Sequence, residues 1–271
     1  MVSFRIVSVA ALAVTALVLT TVAPRADTLS DIKQAKKIRI SIDLTNSPYG
    51  RTDDKLQPSG SDVDIAKLLA RDLGVEFEIV PTTGSSRIPL LQTGKADLVI
   101  SSLSITPDRA KAIDFSVPYA DLLSVVAGPK AIAVKSLADL DGKKVAVTRG
   151  TTQDTDLTQR AKNNEINSQI VRYEDDATLA LAVASGQADL FATGRAQVTA
   201  INTKNPGREL EPKITLQTFL LAIGVRKGDA ELLAWTNDWV KANLKNGKLN
   251  AINKAYHGVD LSPDVLKAGN D

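Results

Sequence analysis

In the stretch ADLVISSLSITPDRAKAIDF (96–115), an apolar run ends in a hydroxyl cluster, Ser101, Ser102 and Ser104, and Arg109 follows close behind. Hydroxyls, free backbone N–H groups and a planar guanidinium together make a receptor for a carboxylate, because the guanidinium presents parallel donors to two oxygens. Thr106-Pro107-Asp108 has the form of a helix start: Thr106 caps, Pro107 takes the first position and Asp108 suits the helix dipole. Arg109 then lies in the first helical turn. The residues alone are equally consistent with serines that cap a turn and an arginine that is solvated. A second such place is VAVTRGTTQD (145–154), where a strand runs into Arg149-Gly150 and Thr151-Thr152-Gln153 opens a helix whose free N–H groups attract anions. No Gly-Lys-Ser/Thr follows, so this loop is not a phosphate-binding P-loop. Two anion-friendly strand ends predict one ligand held between them.

The elements that must position these groups alternate along the chain. KIRISID (37–43) has a strand pattern. SDVDIAKLLARDLG (61–74) has a helical stripe of Ile65, Leu68, Leu69 and Leu73, with Ser61 or Asp62 as cap and Gly74 as stop. VEFEIV (75–80) is a strand, SSRIPLLQTG (85–94) a helix and ADLVIS (96–101) the strand that carries the serines. The second half repeats the grammar with strands at KKVAV, QIVRY and ADLFAT and helices after Thr151 and Asp175. The run Gly94-Lys95-Ala96-Asp97-Leu98 is echoed at Gly186-Gln187-Ala188-Asp189-Leu190. The chain closes with a strand at LAIGVRKG and a helix from Ala230 to Asn246, whose Leu232, Trp235, Trp239 and Leu244 form a core stripe. The tail LSPDVLKAGND (261–271) is expected to be flexible. This alternation predicts an α/β fold: a mostly parallel sheet covered by helices, with ligands at the carboxyl ends of the strands.

Composition narrows the chemistry. The 271 residues contain no cysteine and one histidine, His257. Disulfides, cysteine metal sites, a cysteine nucleophile and a Ser-His-Asp triad therefore lack material. The first 26 residues have a basic start (Arg5), an apolar run and small residues, the form of a cleaved secretory signal peptide. Its loss removes Arg5 and Arg25, so the 33 Lys and Arg become 31, equal to the 31 Asp and Glu. A neutral mature chain offers no charge argument for nucleic acid. The acidic runs TDD (52–54) and EDD (174–176) suit a turn and a helix cap, and neither has calcium-loop spacing.

From about Lys37 to Gly258 the chain resembles the polar amino acid solute-binding proteins of ABC transporters, family 3. The resemblance rests on IRISIDLTNSPYG, SGSDVDIAKLLARDLG, IPLLQTGKADLVISSLSITPDRAKAIDFSVPY, SLADLDGKKVAVTRGTTQD and LKNGKLNAINKAY, in that order. It implies the two-lobed periplasmic-binding-protein fold, with two α/β lobes joined by two hinge crossings near Tyr119–Leu123 and Phe219–Gly224. The lobes would be 27–120 with 222–271, and 121–221, closing on a ligand. It implies a monomeric protein of the periplasm that takes a small carboxylate-bearing solute, an amino acid foremost, and hands it to a membrane permease, without a cofactor, a metal or catalysis. By match, carboxylate-binding positions fall on Ser102, Leu103 through its backbone, Ser104 and Arg109 in the first lobe, and on Thr151 and Thr152 in the second, with Gln153 beside them.

Three positions depart from the family pattern. The aromatic expected after the first strand is Asn46, and the one expected before the Asp-Val-Asp run is Ser61. The aspartate that takes the ligand's α-ammonium is Gly194. An ammonium in a dry cleft needs an acceptor, since an unpaired buried charge costs several kcal/mol. Asp43, at the end of the first strand, is the substitute that the sequence offers. Arg149 and Arg195 flank ligand-facing positions, which raises the alternative of an organic acid or dicarboxylate without an ammonium. A periplasmic dehydratase-like enzyme is a further alternative, with Asp43 as its candidate acid. A receptor's sensing domain would need a following membrane span, and none is expected.

Overall fold

The computed structural model describes residues 28–269. The expected signal segment, residues 1–26, lies outside them.

Alternate residues of the first strand point to one core. After α1 (Thr28–Ala35), β1 (Lys37–Ile42) buries Ile38, Ile40 and Ile42 completely. A small hairpin of β2 (Arg51–Thr52) and β3 (Pro58–Ser59) leads to α2 (Ser61–Leu73), β4 (Glu76–Pro81), α3 (Arg87–Gln92), β5 (Leu98–Val99) and α4 (Pro107–Ala112). α2 lays Val63, Ile65, Ala66, Leu68 and Leu69 on the core and stops at Gly74, whose left-handed φ of 75° favours glycine. Its start differs from expectation. Neither Ser61 nor Asp62 caps it; Gly60 precedes the helix and the Asp62 carboxylate is spent elsewhere.

The chain then leaves this half along β6 (Ile113–Pro129), a strand of 17 residues. The second half repeats the alternation with β7 (Lys144–Thr148), α5 (Thr152–Lys162), β8 (Gln169–Tyr173), α6 (Asp176–Ser185), β9 (Leu190–Gly194) and α7 (Arg195–Lys204). The return runs along β10 (Leu210–Arg226), antiparallel to β6 over nearly its whole length. One sheet of eight strands results, in the order β4-β1-β5-β10-β6-β9-β7-β8. Its outer thirds are parallel, as α/β alternation requires, and its middle is antiparallel, because the chain crosses between the halves once in each direction. The β10 register slips between Leu221 and Gly224, within the stretch expected to form the second crossing. Such bulges bend a strand.

The return completes the first core. α8 (Ala230–Lys245) buries Leu232, Trp239, Val240 and Leu244 there, and Trp239 Nε1 donates to Asp72 at 3.0 Å. α9 (Lys248–His257) follows. The tail corrects the expectation of flexibility up to Gly269: α10 (Pro263–Lys267) packs, with Leu261 and Val265 buried in the same core. Full burial of such side chains contributes about 1.5–3 kcal/mol each, enough to hold a short helix. His257 is half-buried, its ring 4.7 Å from that of Tyr49 and its Nε2 3.1 Å from Ser61 Oγ, and burial lowers its pKa to about 4.

Candidate functional site: a cleft between two strand ends

The first jaw is built at the end of β5. Ser101 is structural: its Oγ accepts from Asp43 N at 3.1 Å. Ser102 has φ of 40°, a left-handed backbone that costs a non-glycine residue about 1–3 kcal/mol. Asp62 holds it there, accepting from Ser102 N at 2.7 Å and from the Tyr119 hydroxyl at 2.8 Å. Burial pushes the Asp62 carboxyl up to about 7. Ser104 is pinned by an antiparallel bridge to Leu221. Leu103 turns its side chain into the core and its carbonyl to Ala222 N, at 3.0 Å.

Two arginines serve this jaw. Thr106 caps α4 by accepting from Arg109 N, as expected. The Arg109 guanidinium donates to Ser104 O at 3.0 Å and, across the cleft, to Gly150 O at 3.1 Å. Burial, with the nearby Arg87 charge, lowers its pKa to about 9, so it stays cationic at neutral pH. Arg87 was missed in the sequence. It opens α3, is 5% exposed, donates to Ser101 O at 2.6 Å, and keeps a buried Nε with no partner. The available signal was its place in SSRIPLLQ: Arg87 and Leu91 are the buried face of that helix, four residues apart.

The second jaw gathers three element starts. Thr151 caps α5, accepting from Asp154 N at 3.3 Å, and Thr152 and Gln153 are buried in the first turn. α6 is capped by Asp175, as EDD suggested, but Asp176 departs from that bland assignment. Its carboxyl turns inward and accepts from Thr148 Oγ1 at 2.6 Å, while its N–H donates across the cleft to Thr45 Oγ1 at 3.3 Å. Burial, then the nearby Asp43 charge, pushes it up to about 7. Asp43 accepts from Thr45 N and Oγ1 at 2.8 and 2.6 Å, and burial raises it as well. At α7, Gln197 Nε2 donates to Asn46 Oδ1 at 2.8 Å, and Asn46 Nδ2 donates to Ser102 Oγ at 3.0 Å. This chain of amides ties the two jaws together.

Of the residues singled out in the sequence, Asp43, Asn46, Ser102, Ser104, Thr151, Thr152 and Gln153 line one cavity between the jaws, joined there by Arg87, Thr148, Asp176 and Gln197. Leu103 and Arg109 lie beside it. Arg149 and Arg195 are not brought in. Arg149 is exposed and pairs with Glu174 at 2.9 Å, and Arg195 is exposed at the start of α7. The dicarboxylate alternative, which needed both of these arginines in the cleft, loses that support.

The cleft is shut. The cavity leaves about 20 Å³ for the centre of a water molecule, room for one or two waters. A solute of several heavy atoms enters only when the jaws part. They close this far because glycines meet at the rim: a Cβ on Gly84 would lie 2.7 Å from Arg149 O, and one on Gly150 2.8 Å from Ser85 Cα. Among the described residues no helix is long and apolar enough to cross a membrane, and no cluster of three His, Cys, Asp or Glu could hold a metal.

Known proteins share this architecture. The bacterial extracellular solute-binding proteins, family 3, match residues 38–259. The L-cystine-binding protein TcyJ of Escherichia coli (strain K12) is 26% identical over 236 residues, which cover 86% of this chain and 87% of that protein. Among solved structures, an ancestral amino acid-binding protein described as a precursor of cyclohexadienyl dehydratase is 36% identical, with a TM-score of 0.76 over 85% of this chain and 99% of that one. A solute receptor for L-cysteine of Neisseria gonorrhoeae is 30% identical, with a TM-score of 0.80 over 88% of this chain and 98% of that one.

Proposed function

The chain belongs to the bacterial extracellular solute-binding proteins, family 3, and from that premise we propose that it captures a free α-amino acid in the cleft and delivers it to the membrane permease of an ABC importer. The observation that carries this reading is the charge pattern of the closed cleft. Two guanidiniums, Arg87 and Arg109, stand at or beside the cavity, and two carboxylates, Asp43 and Asp176, line it. Charges of both signs fixed around a small dry space match a zwitterion, since each pole of the ligand replaces the water that closure removes.

In this reading the ligand carboxylate meets Ser102, Ser104 and the N-terminus of α5 at Thr151–Gln153, with Arg109 and Arg87 supplying the charge. Asn46 stands where an aromatic platform was expected, so the side chain is held by polar contact and not by stacking. The protein works as a monomer outside the cytoplasm, exported by a signal at residues 1–26. Its lobes are residues 27–120 with 222–271, and 121–221. It needs no cofactor or nucleic acid, and its ligand leaves unchanged.

The test is a thermal-shift screen of ligand-stripped protein against the twenty standard amino acids and their des-amino acids. Ligand at about 100 times its Kd adds roughly 2.7 kcal/mol to stability. For a chain of this size that raises the midpoint by several degrees, at about 2–4 °C per kcal/mol. A shift with an amino acid, recovered unaltered by mass spectrometry, is the expected result. Stabilisation by des-amino acids alone would replace this reading with organic-anion binding, and a chemically altered ligand would make the protein an enzyme.

A further inference from the structure

The second jaw contains an acceptor without a donor. Gln197 is 8% exposed, its Nε2 is committed to Asn46, and its Oε1 is buried with no hydrogen-bond partner. A buried acceptor left unpaired costs about 1–3 kcal/mol, so its place in a ligand cavity calls for a donor supplied from outside the chain. The location of that oxygen is informative. A Cβ built on Gly194 would lie 2.1 Å from it. The glycine therefore leaves open the space that Gln197 Oε1 fills, and a side chain at 194 would have to displace it.

Negative charge is available in the same wall. Asp176, Thr193 and Gln197 line both the cavity and a groove on the outer side of α6 and α7, so these three residues form the partition between them. The Asp176 carboxyl accepts from a neutral hydroxyl, Thr148 Oγ1. Across the cleft Asp43 adds a second negative charge, but its Oδ1 already accepts two bonds from Thr45 within its own loop. Asp176 is thus the carboxylate less engaged by its own loop, and it shares a wall with the orphan oxygen.

We propose that Gln197 Oε1 and the Asp176 carboxylate together form the ammonium subsite of this cleft, with Gln197 supplying an oriented acceptor and Asp176 the charge. This rests on the amino acid reading above and assigns its cationic pole. An ammonium has three N–H donors on one tetrahedral centre. One meets Gln197 Oε1, one meets Asp176, and the third faces the first jaw. Gln197 then reports occupancy to the other lobe, because its amide nitrogen holds Asn46, which holds Ser102.

The experiment compares an amino acid that binds with its des-amino acid by calorimetry, and the ratio of the two Kd values is the readout. Wild type is expected to favour the amino acid by about 10- to 100-fold, the worth of a hydrogen bond to a charged group. Asp176→Asn and Gln197→Leu should each collapse that ratio toward one. Gln197→Leu also loses the bond to Asn46 and so weakens both compounds, which is why the ratio and not the affinity decides. Gly194→Asp combined with Gln197→Ala should restore the preference, since a carboxylate then grows into the space that Oε1 vacates; Gly194→Asp alone should not. If wild type prefers the amino acid and Asp176→Asn keeps that preference, the assignment is wrong while the amino acid reading stands. A collapse produced only by Asp43→Asn would give the role to Asp43 and overturn the assignment too. If no amino acid binds wild type, both fall.

Discussion

The two jaws are built from the same grammar and have opposite characters. The first, at the end of β5, is rigid and rich in donors. Ser102 is held at a strained φ of 40° by Asp62, Asp62 is held by Tyr119, and Arg87 is buried against Ser101 O. The second, at the starts of α5, α6 and α7, offers free helix N–H groups and then acceptors: Asp176 and Gln197. The cations of the cleft, Arg87 and Arg109, belong to the first jaw, and the second adds a carboxyl and an unpaired amide oxygen, so a zwitterion between them would find a partner for each pole. A five-residue echo marks both lobes because Gly94 and Gly186 each turn the chain in the left-handed conformation just past a helix, four residues before the next strand at Leu98 or Leu190, and the chemistry is placed on the loops beyond.

If the first jaw supplies the indispensable charge, the largest effect should come from Arg109. Arg109→Ala removes a partly buried guanidinium that touches both jaws, and affinity should fall by at least about 100-fold in calorimetry, the scale of losing one partner of a buried charge pair. An effect below tenfold would shift the carboxylate role to Arg87.

The next effect tests how closely the jaws approach. Gly84→Ala puts a Cβ 2.7 Å from Arg149 O, a backbone atom that cannot swing aside. Overpacking of this kind costs about 1–3 kcal/mol, here charged to the closed state alone. Affinity should drop by about 5- to 100-fold while the melting midpoint of the free protein stays within 2–3 °C. Small-angle scattering should show a ligand-bound particle less compact than wild type.

A smaller effect is the pH dependence of the free protein. Asp62 and Asp176 are both pushed up to about 7, so between about 4 and 7 the folded state binds protons that the unfolded state releases. Their contribution to stability is present at low pH and lost as pH rises through 7. His257, lowered to about 4, works the other way below about 6.5, but one base opposes two acids. Asp43, Arg87 and Asp175 are the charged groups around Asp176. The midpoint should be higher at pH 5.5 than at pH 8, and Asp176→Asn should flatten roughly half of that slope. A steeper slope in the variant would contradict a carboxyl that charges at a cost within the closed cleft.

The smallest effect is expected outside the cleft. Arg149→Ala breaks an exposed ion pair with Glu174, worth about 0–1 kcal/mol, and Arg195→Ala trims an exposed side chain. Neither should change the Kd for any ligand by more than about twofold. A larger loss from either would bring an arginine into the cleft on opening and revive the dicarboxylate alternative.

Much of the fold was legible without coordinates, because periodicity and punctuation are local. β1, α2 and α8 announce themselves through alternating or 3.6-residue apolar patterns and through Gly74 and Gly247 at their ends. The cap at Thr106 and the helix start at Thr151 were visible for the same reason, and so were the hydroxyls of Ser102, Ser104 and Thr152. The tail was not, because two apolar residues, Leu261 and Val265, say little until a core is present to receive them.

What the sequence alone determined is which groups are available and at which strand ends: hydroxyls, arginines and helix starts on two similar lobes, with no cysteine and one histidine. What only the tertiary structure decided is which of them share a space. Arg87 and Arg149 are equally basic in the sequence, yet one is buried against Ser101 O and the other stands in solvent beside Glu174. Asp175 and Asp176 are adjacent and identical, yet one caps a helix and the other lines the cavity. The reason is physical. Side-chain direction depends on the backbone that carries it, and the meeting of two jaws depends on contacts far apart in the chain. Gly84 meets Arg149, Asn46 meets Gln197 and Arg109 meets Gly150, and no local pattern encodes any of these.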